Sequence, residues 1–220
     1  MNLFDILGPV MVGPSSSHTA GAVRIGYISG KLLQDHVVKA EILLHGSFAT
    51  TGIGHGTDKA LIAGLLGMRP DDIRIPASFF LAKRDGMEFS FSTITLKDAH
   101  PNTAVLRLTG EHGRKIEVQA ASIGGGRILI AKLDGIEVNF SAEKPTLIVH
   151  NVDQPGHVAQ VTSMLAEKQV NIATLQLYRD KRGGYAVMVI ETDQEVPEES
   201  VAWLEQLDGI IKVTYINVEE

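Results

Sequence analysis

The sequence predicts an α+β fold in two successive domains, on three observations. Residues 146–220 alternate short β-branched strands with amphipathic helices in the order βαββαβ; residues 1–145 mix two helical stretches with a run of strands and Gly-rich loops; and the breaker Pro145 separates the two patterns. With 220 residues, 44% of them hydrophobic, the chain is long enough to build two small cores. The later domain, 146–220, is expected to sense a small molecule or ion and to regulate the domain at 1–145.

The elements of the later domain follow from local chemistry. Thr146 to His150 is a β-branched run that reads as a strand, and Asn151-Val152-Asp153-Gln154-Pro155-Gly156 turns the chain. A helix from Pro155 to about Lys168 is predicted to bury Val158, Val161 and Leu165 and to turn Gln160, Glu167 and Lys168 to water. Asn171 to Tyr178 alternates as a half-buried strand, with Ile172, Thr174, Gln176 and Tyr178 on one side and Ala173, Leu175 and Leu177 on the other. Residues 180–184 supply a hairpin turn into the strand Tyr185 to Ile190. Pro197 is placed at the first turn of a second helix carrying Val201, Leu204 and Leu207, and a last strand spans Ile210 to Val218. This order is the ferredoxin-like arrangement.

In the earlier domain, Ser15, Ser16 and Ser17 offer capping hydroxyls to a helix reaching about Leu33, with Ala22, Ile25, Gly26, Ser29, Leu32 and Leu33 as its apolar stripe. A strand from Val38 to Leu44 runs into a polar, Gly-rich loop to Gly56, where Thr57 or Asp58 can cap a second helix of about Thr57 to Leu66. Strands are expected around Glu88–Leu96, Val105–Leu108, Ile116–Ala121, Ile128–Lys132 and Ile136–Phe140.

Composition removes several function classes. Twenty Lys and Arg against 26 Asp and Glu give a net charge of -6, the wrong sign for binding a phosphate backbone, so no nucleic-acid partner is expected. No apolar run approaches the roughly 18 residues needed to span a bilayer. The start, MNLFDILGPV, lacks the basic and apolar segments of a signal peptide, so a cytoplasmic, membrane-free location is expected. The chain has no cysteine, which excludes disulfides, a thiol nucleophile and a thiolate-held iron–sulfur cluster ligated by this polypeptide.

Five of the eight histidines, His18, His45, His55, His100 and His157, fall in loops or at element ends among Gly, Ser, Thr and Asn, where binding chemistry concentrates. In Gly13-Pro14-Ser15-Ser16-Ser17-His18-Thr19 the hydroxyls and free helix N–H groups suit a carboxylate, and His18 is placed to exchange a proton with it. A plain N-cap needs only one serine, and that is the competing reading. The segment from His45 to Asp58 carries Ser47 and His55 between glycines that let backbone approach a ligand. It matches neither the P-loop nor the dinucleotide fingerprint, and a long turn is its alternative. His100-Pro101-Asn102-Thr103 and Ser122-Ile123-Gly124-Gly125-Gly126 read as turns when taken singly. No H-x-x-x-H or H-E-x-x-H spacing occurs, so no transition metal is expected in this chain.

Taken in order, GPSSSHT, HGSFATTGIGHGTD, HPNT and SIGGG, followed by the βαββαβ tail, resemble the beta chain of bacterial iron–sulfur-dependent L-serine dehydratases over essentially the whole sequence. The tail resembles ACT domains, including its Asp153-Gln154-Pro155-Gly156 turn. This resemblance implies a heteromeric lyase that converts L-serine to pyruvate and ammonia by α,β-elimination. It also implies a cysteine-bearing alpha chain, which ligates a 4Fe-4S cluster that acts as Lewis acid on the serine hydroxyl. On that basis His55 is expected to transfer protons and His18 to orient the carboxylate, while Ser15, Ser16, Ser17, Thr19, His45, Ser47, His100, Asn102 and Thr103 bind substrate or effector. The ACT resemblance implies a ligand site at Asn151, Asp153, Pro155, Gly156, His157, Asn171 and Ile172, homodimer contacts through this domain, and an amino acid or monovalent cation as ligand, or an empty pairing domain. The earlier domain is also similar to the allosteric substrate-binding domain of some D-3-phosphoglycerate dehydrogenases. That likeness supports a rival role as a purely regulatory amino-acid-binding module. An unaided Ser–His hydrolase lacks the G-x-S-x-G elbow.

Overall fold

The computed structural model describes residues 10–217, except for the side chain of Ile53. The N-terminal leader reading (all but Val10) and the end of the last predicted strand, Val218, lie outside the described residues. Two compact units divide between Gly135 and Ile136.

In the first unit a π-helical turn, Ser16–Ala20, leads directly into α1, Gly21–Leu33. Strand β1 spans Val37–Leu44, and the expected Gly-rich loop after it holds a short helix α2, Gly46–Thr50, and a 3-10 turn, Ile53–His55. Helix α3 covers Thr57–Leu65 and α4 Ser78–Arg84. The strands β2 (Glu88–Thr93), β3 (Thr103–Gly110), β4 (Lys115–Gly124) and β5 (Arg127–Leu133) complete the unit. Within it the strands lie in the order β2-β1-β3-β4-β5. Only β1 and β2 pair in parallel, as the intervening helices require, whereas β1–β3, β3–β4 and β4–β5 are antiparallel. Helices α2, of five residues, and α4, of seven, have no counterpart in the sequence reading.

The predicted stripe of α1 is buried throughout, and its small members set the packing. A Cβ added to Gly26 would lie 2.1 Å from the carbonyl oxygen of Leu61, and one added to Gly64 would lie 2.0 Å from that of Val23. Helices α1 and α3 thus cross backbone to backbone. Gly64→Ala should destabilise the chain by about 3 kcal/mol, the upper part of the range for overpacking, because rigid backbone must move. An unchanged urea midpoint would refute this contact.

The second unit contains β6 (Ile136–Phe140), β7 (Thr146–Val152), α5 (His157–Glu167), β8 (Ile172–Arg179), β9 (Tyr185–Thr192), α6 (Glu198–Leu204) and β10 (Ile210–Ile216). Its four-stranded sheet has the order β10-β7-β9-β8 with antiparallel neighbours, which is the ferredoxin-like pattern. Leu147, Val149, Val161, Leu165, Met188, Ile190 and Val213 form its core. One side-chain expectation for α5 fails: Val158, in its first turn, is 38% exposed, and Met164 joins Val161 and Leu165 in the core. Pro197 is the residue preceding α6, where its ψ of 140° is extended.

His150, on the central strand β7, is 1% exposed and bonds the Tyr185 hydroxyl through Nδ1. Burial, then the nearby Lys212 charge, lower its pKa from 6.5 to about 4. The unfolded chain therefore binds a proton here that the folded chain refuses, and stability should fall as pH drops from about 6.5 toward 4, by roughly 3 kcal/mol in all. His150→Gln should flatten the dependence of the urea midpoint over that window. An equally steep dependence in the variant would refute the assignment.

Candidate active site

Every motif-bearing loop of the first unit ends at one edge of its sheet. The register places Leu44 of β1 beside Thr93 of β2 and Ala104 of β3, and Thr103 beside Ala121 of β4. The start of α1 reaches the same edge, since a Cβ on Gly21 would meet Ser122 Oγ at 2.0 Å. Loop-to-loop bonds hold the rim together: Ser47 N–H donates to the Pro101 carbonyl at 2.8 Å, and Ser122 N–H to that of Asn102 at 2.9 Å. Gly46 has φ +55° and seats its backbone on Pro101, a close approach open only to glycine.

At the centre stands His18. Ser15, extended ahead of the π-helical turn, caps it by accepting the His18 N–H at 3.0 Å. The ring lies edge-on to buried Phe48, with centroids 5.5 Å apart, and its Nε2 lies 2.9 Å from Ser47 Oγ and 3.2 Å from Thr51 Oγ1. His55 lies beside it at 5.0 Å between centroids and is exposed. Partial burial, and next the His55 charge, lower the His18 pKa below 6.5, so the ring is neutral near pH 7 and can accept a proton.

Two threonines lock the loops that carry these rings. Thr19 Oγ1 donates to the His55 carbonyl at 3.1 Å, and Thr57 Oγ1 to the His18 carbonyl at 2.7 Å. Thr57 thus joins the π-helical turn to α3 and caps nothing; Gly56 occupies the cap position of α3 without a side-chain bond, contrary to the expected Thr57 or Asp58 cap. Ser16 and Ser17 are half-buried in the π-helical turn. His45 Nδ1 lies 3.2 Å from the Leu96 nitrogen and 3.3 Å from the Ile94 carbonyl oxygen, and His100 Nδ1 accepts the Asn102 N–H at 3.1 Å. Thr103, 1% exposed, donates to the His100 carbonyl at 2.6 Å. His45, His100 and Thr103 therefore brace the rim, while His18, Ser47 and His55 form one contact group. Phe48 and Thr51 escaped the sequence reading, which took Thr57 only as a cap: each acts on His18 from 30 or more residues away. Among the described residues no group of three or more His, Cys, Asp and Glu side chains is placed to hold a metal.

In the second unit the expected ligand residues separate. Asn151 to His157 run from the C-terminal end of β7 into α5, whereas Ile172 pairs with Thr192, at the end of the sheet where Thr146 pairs with Glu191. Asn171 is held there by Asp193 at 2.6 Å and Gln194 at 2.7 Å. Asp153 accepts from Arg179 and from the Gly183 N–H, both at 2.9 Å, and these bonds hold its carboxyl below the usual carboxylate range. It ties the turn to the β8–β9 hairpin. Pro155 and Gly156 are exposed, the latter at φ +108°. Asn151 Oδ1 and His157 Nε2, both buried, have no hydrogen-bond partner among the described residues.

The two units define a class of protein: a histidine-bearing α+β domain joined to an ACT domain. The family model described as "Serine dehydratase beta chain" matches residues 2–84, and the ACT domain model matches residues 145–209. A protein named probable L-serine dehydratase, beta chain, from Bacillus subtilis is 40% identical over 98% of this chain and 97% of its own length. The L-serine dehydratase beta chain of Peptoniphilus asaccharolyticus is 37% identical with the same coverage. A D-3-phosphoglycerate dehydrogenase of Methanocaldococcus jannaschii is 27% identical over 90% of this chain, which spans 37% of that protein. The chain belongs to the family of L-serine dehydratase beta chains.

His55→Gln removes one of the two causes that depress His18. The His18 pKa should rise in an NMR titration yet stay below that of an exposed histidine, since burial is the larger cause. An unmoved titration would show that the rings are uncoupled.

Proposed function

We propose that this chain completes and regulates the active site of a heteromeric L-serine dehydratase, converting L-serine to pyruvate and ammonia by α,β-elimination. The observation that carries this reading is the convergence of the four sequence motifs on one sheet edge, with His18 and His55 in ring contact at its centre. The exposed His55 is assigned proton transfer at the substrate, and His18, with the Ser15–Ser17 turn, orients the carboxylate. His100 and Asn102 stand on the same rim as secondary contacts. Loss of the α-proton and the β-hydroxyl leaves aminoacrylate, which hydrolyses to pyruvate.

The residues present do not fit an iron–sulfur cluster: there is no cysteine in the chain and no metal-binding group among the described residues. On this reading a cysteine-bearing alpha chain holds the 4Fe-4S cluster and docks on the motif-bearing edge. The ACT unit is assigned an effector role at the Asn151–His157 turn, supported by the unpartnered Asn151 Oδ1 and His157 Nε2, which would serve an amino acid or a monovalent cation. Asn171 and Ile172 lie at the opposite end of the sheet, so a site using both ends would need a second copy of this chain, which favours pairing through the ACT unit. The absence of any described helix long and apolar enough to cross a membrane fits a cytoplasmic complex.

The test is anaerobic reconstitution with the alpha chain and a serine-to-pyruvate assay. His55→Ala should lower kcat by about 100-fold or more, the ordinary contribution of a positioned acid–base group. Near-normal turnover with intact assembly would remove His55 from the chemistry. If His18 and His55 substitutions instead shift only the serine response curve, the edge is an effector site.

A further inference from the structure

We propose that Thr51, exposed at the end of α2, is a positioning residue for both histidines. Its hydroxyl ends a one-way hydrogen-bond chain that holds His18 as the Nε2–H tautomer, and its carbonyl holds His55 as the Nδ1–H tautomer. His55 Nε2 is then the ring nitrogen left with a lone pair to offer, while that of His18 Nδ1 faces the Ser15 hydroxyl. The proposal rests on the assignment of these rings to the reaction for its catalytic consequence, though not for its geometry.

The argument is a count of protons. Thr51 Oγ1 donates to the Ser47 carbonyl at 2.9 Å, one helical turn back. A hydroxyl has one proton, so toward its other neighbours Thr51 Oγ1 can only accept. Those neighbours are Ser47 Oγ at 3.1 Å and His18 Nε2 at 3.2 Å, and they lie 2.9 Å from each other. If His18 Nε2 carries a proton, the contacts run in one direction: Nε2–H to Ser47 Oγ and, as the longer branch, to Thr51 Oγ1, Ser47 O–H to Thr51 Oγ1, Thr51 O–H to the carbonyl. A bare Nε2 would draw the Ser47 proton to itself and leave both contacts to Thr51 without a hydrogen between them. The terminal carbonyl has no proton to return, so the chain has a fixed direction.

At the other ring nitrogen the geometry agrees. Ser15 Oγ accepts the His18 N–H at 3.0 Å and keeps its own proton to turn toward Nδ1, 3.5 Å away. For His55 the assignment is simpler. Its Nδ1 lies 3.2 Å from the Thr51 carbonyl, which only accepts, so Nδ1 is protonated. The Thr51 backbone is itself fixed, since its N–H donates to the Ser47 carbonyl at 2.9 Å. One residue thereby presents the two rings with opposite tautomers.

Long-range 1H–15N spectra of the full chain labelled at histidine read the tautomers directly, with His18→Asn and His55→Asn chains assigning the signals. Near pH 8, where a neutral ring predominates, His18 should appear as Nε2–H and His55 as Nδ1–H. Thr51→Val removes the hydroxyl and keeps the carbonyl: the His18 signals should shift toward Nδ1–H and those of His55 should stay. Thr51→Ser should restore the original pattern. In the reconstituted dehydratase Thr51→Val should lower kcat about tenfold with KM little changed, the equivalent of 1.4 kcal/mol, and Thr51→Ser should recover it. An Nδ1–H pattern for His18 in the unsubstituted chain, or spectra unmoved by Thr51→Val, would overturn the positioning role. Expected spectra together with normal turnover of the His18 and His55 variants would uphold the tautomers and reject the catalytic reading.

Discussion

The close crossing of α1 and α3 is the constraint on which the site depends. Gly26 and Gly64 remove the two side chains that would hold the helices at the usual 8–10 Å between axes, and backbone meets backbone instead. With the helices this close, the turn that enters α1 and the turn that enters α3 become neighbours. The bond from Thr57 Oγ1 to the His18 carbonyl and that from Thr19 Oγ1 to the His55 carbonyl are then within reach, and the two imidazoles stand in contact. A wider crossing would leave the same residues in place along the chain and separate the rings.

This arrangement puts polar groups to uses that differ by depth. The buried hydroxyls of Thr19, Thr57 and Thr103 donate to backbone carbonyls, which satisfies both partners where water is excluded and holds loops that have no regular structure of their own. Ser47 and Thr51, nearer the surface, also lie against a ring nitrogen, and Thr51 reaches the Ser47 carbonyl as well. The site is thus a rigid frame of backbone-directed bonds surrounding a small set of groups whose protons can move. Burial lowers the proton affinity of His18, and the His55 charge lowers it further.

The second unit uses its buried polar groups differently. His150 and Tyr185 satisfy each other in the sheet, whereas Asn151 Oδ1 and His157 Nε2, at the turn after β7, lack a protein partner among the described residues. Unsatisfied buried polar atoms are costly, and these two are what the proposed effector role of this unit rests on. Asp153, the acidic residue of that turn, is held by Arg179 and Gly183 and thus acts as a tie between loops.

By itself the sequence determined the fold class, the βαββαβ order, the buried stripe of α1 and the four motifs, because hydrophobic periodicity and turn chemistry are local properties of a chain. It also determined that no cysteine ligand can come from this polypeptide. Tertiary structure alone decided which histidines meet. His18 lies in one segment and Ser47, Thr51 and His55 in another, with α1 and β1 between them, and His45 and His100, equally prominent in sequence, are engaged by backbone groups. The same holds for the expected ACT site, whose two halves fall at opposite ends of one sheet because α5 carries the chain back before β8 begins. Short helices and pairings across 29 or more residues leave no periodic trace, since their partners are chosen by packing and not by spacing along the chain.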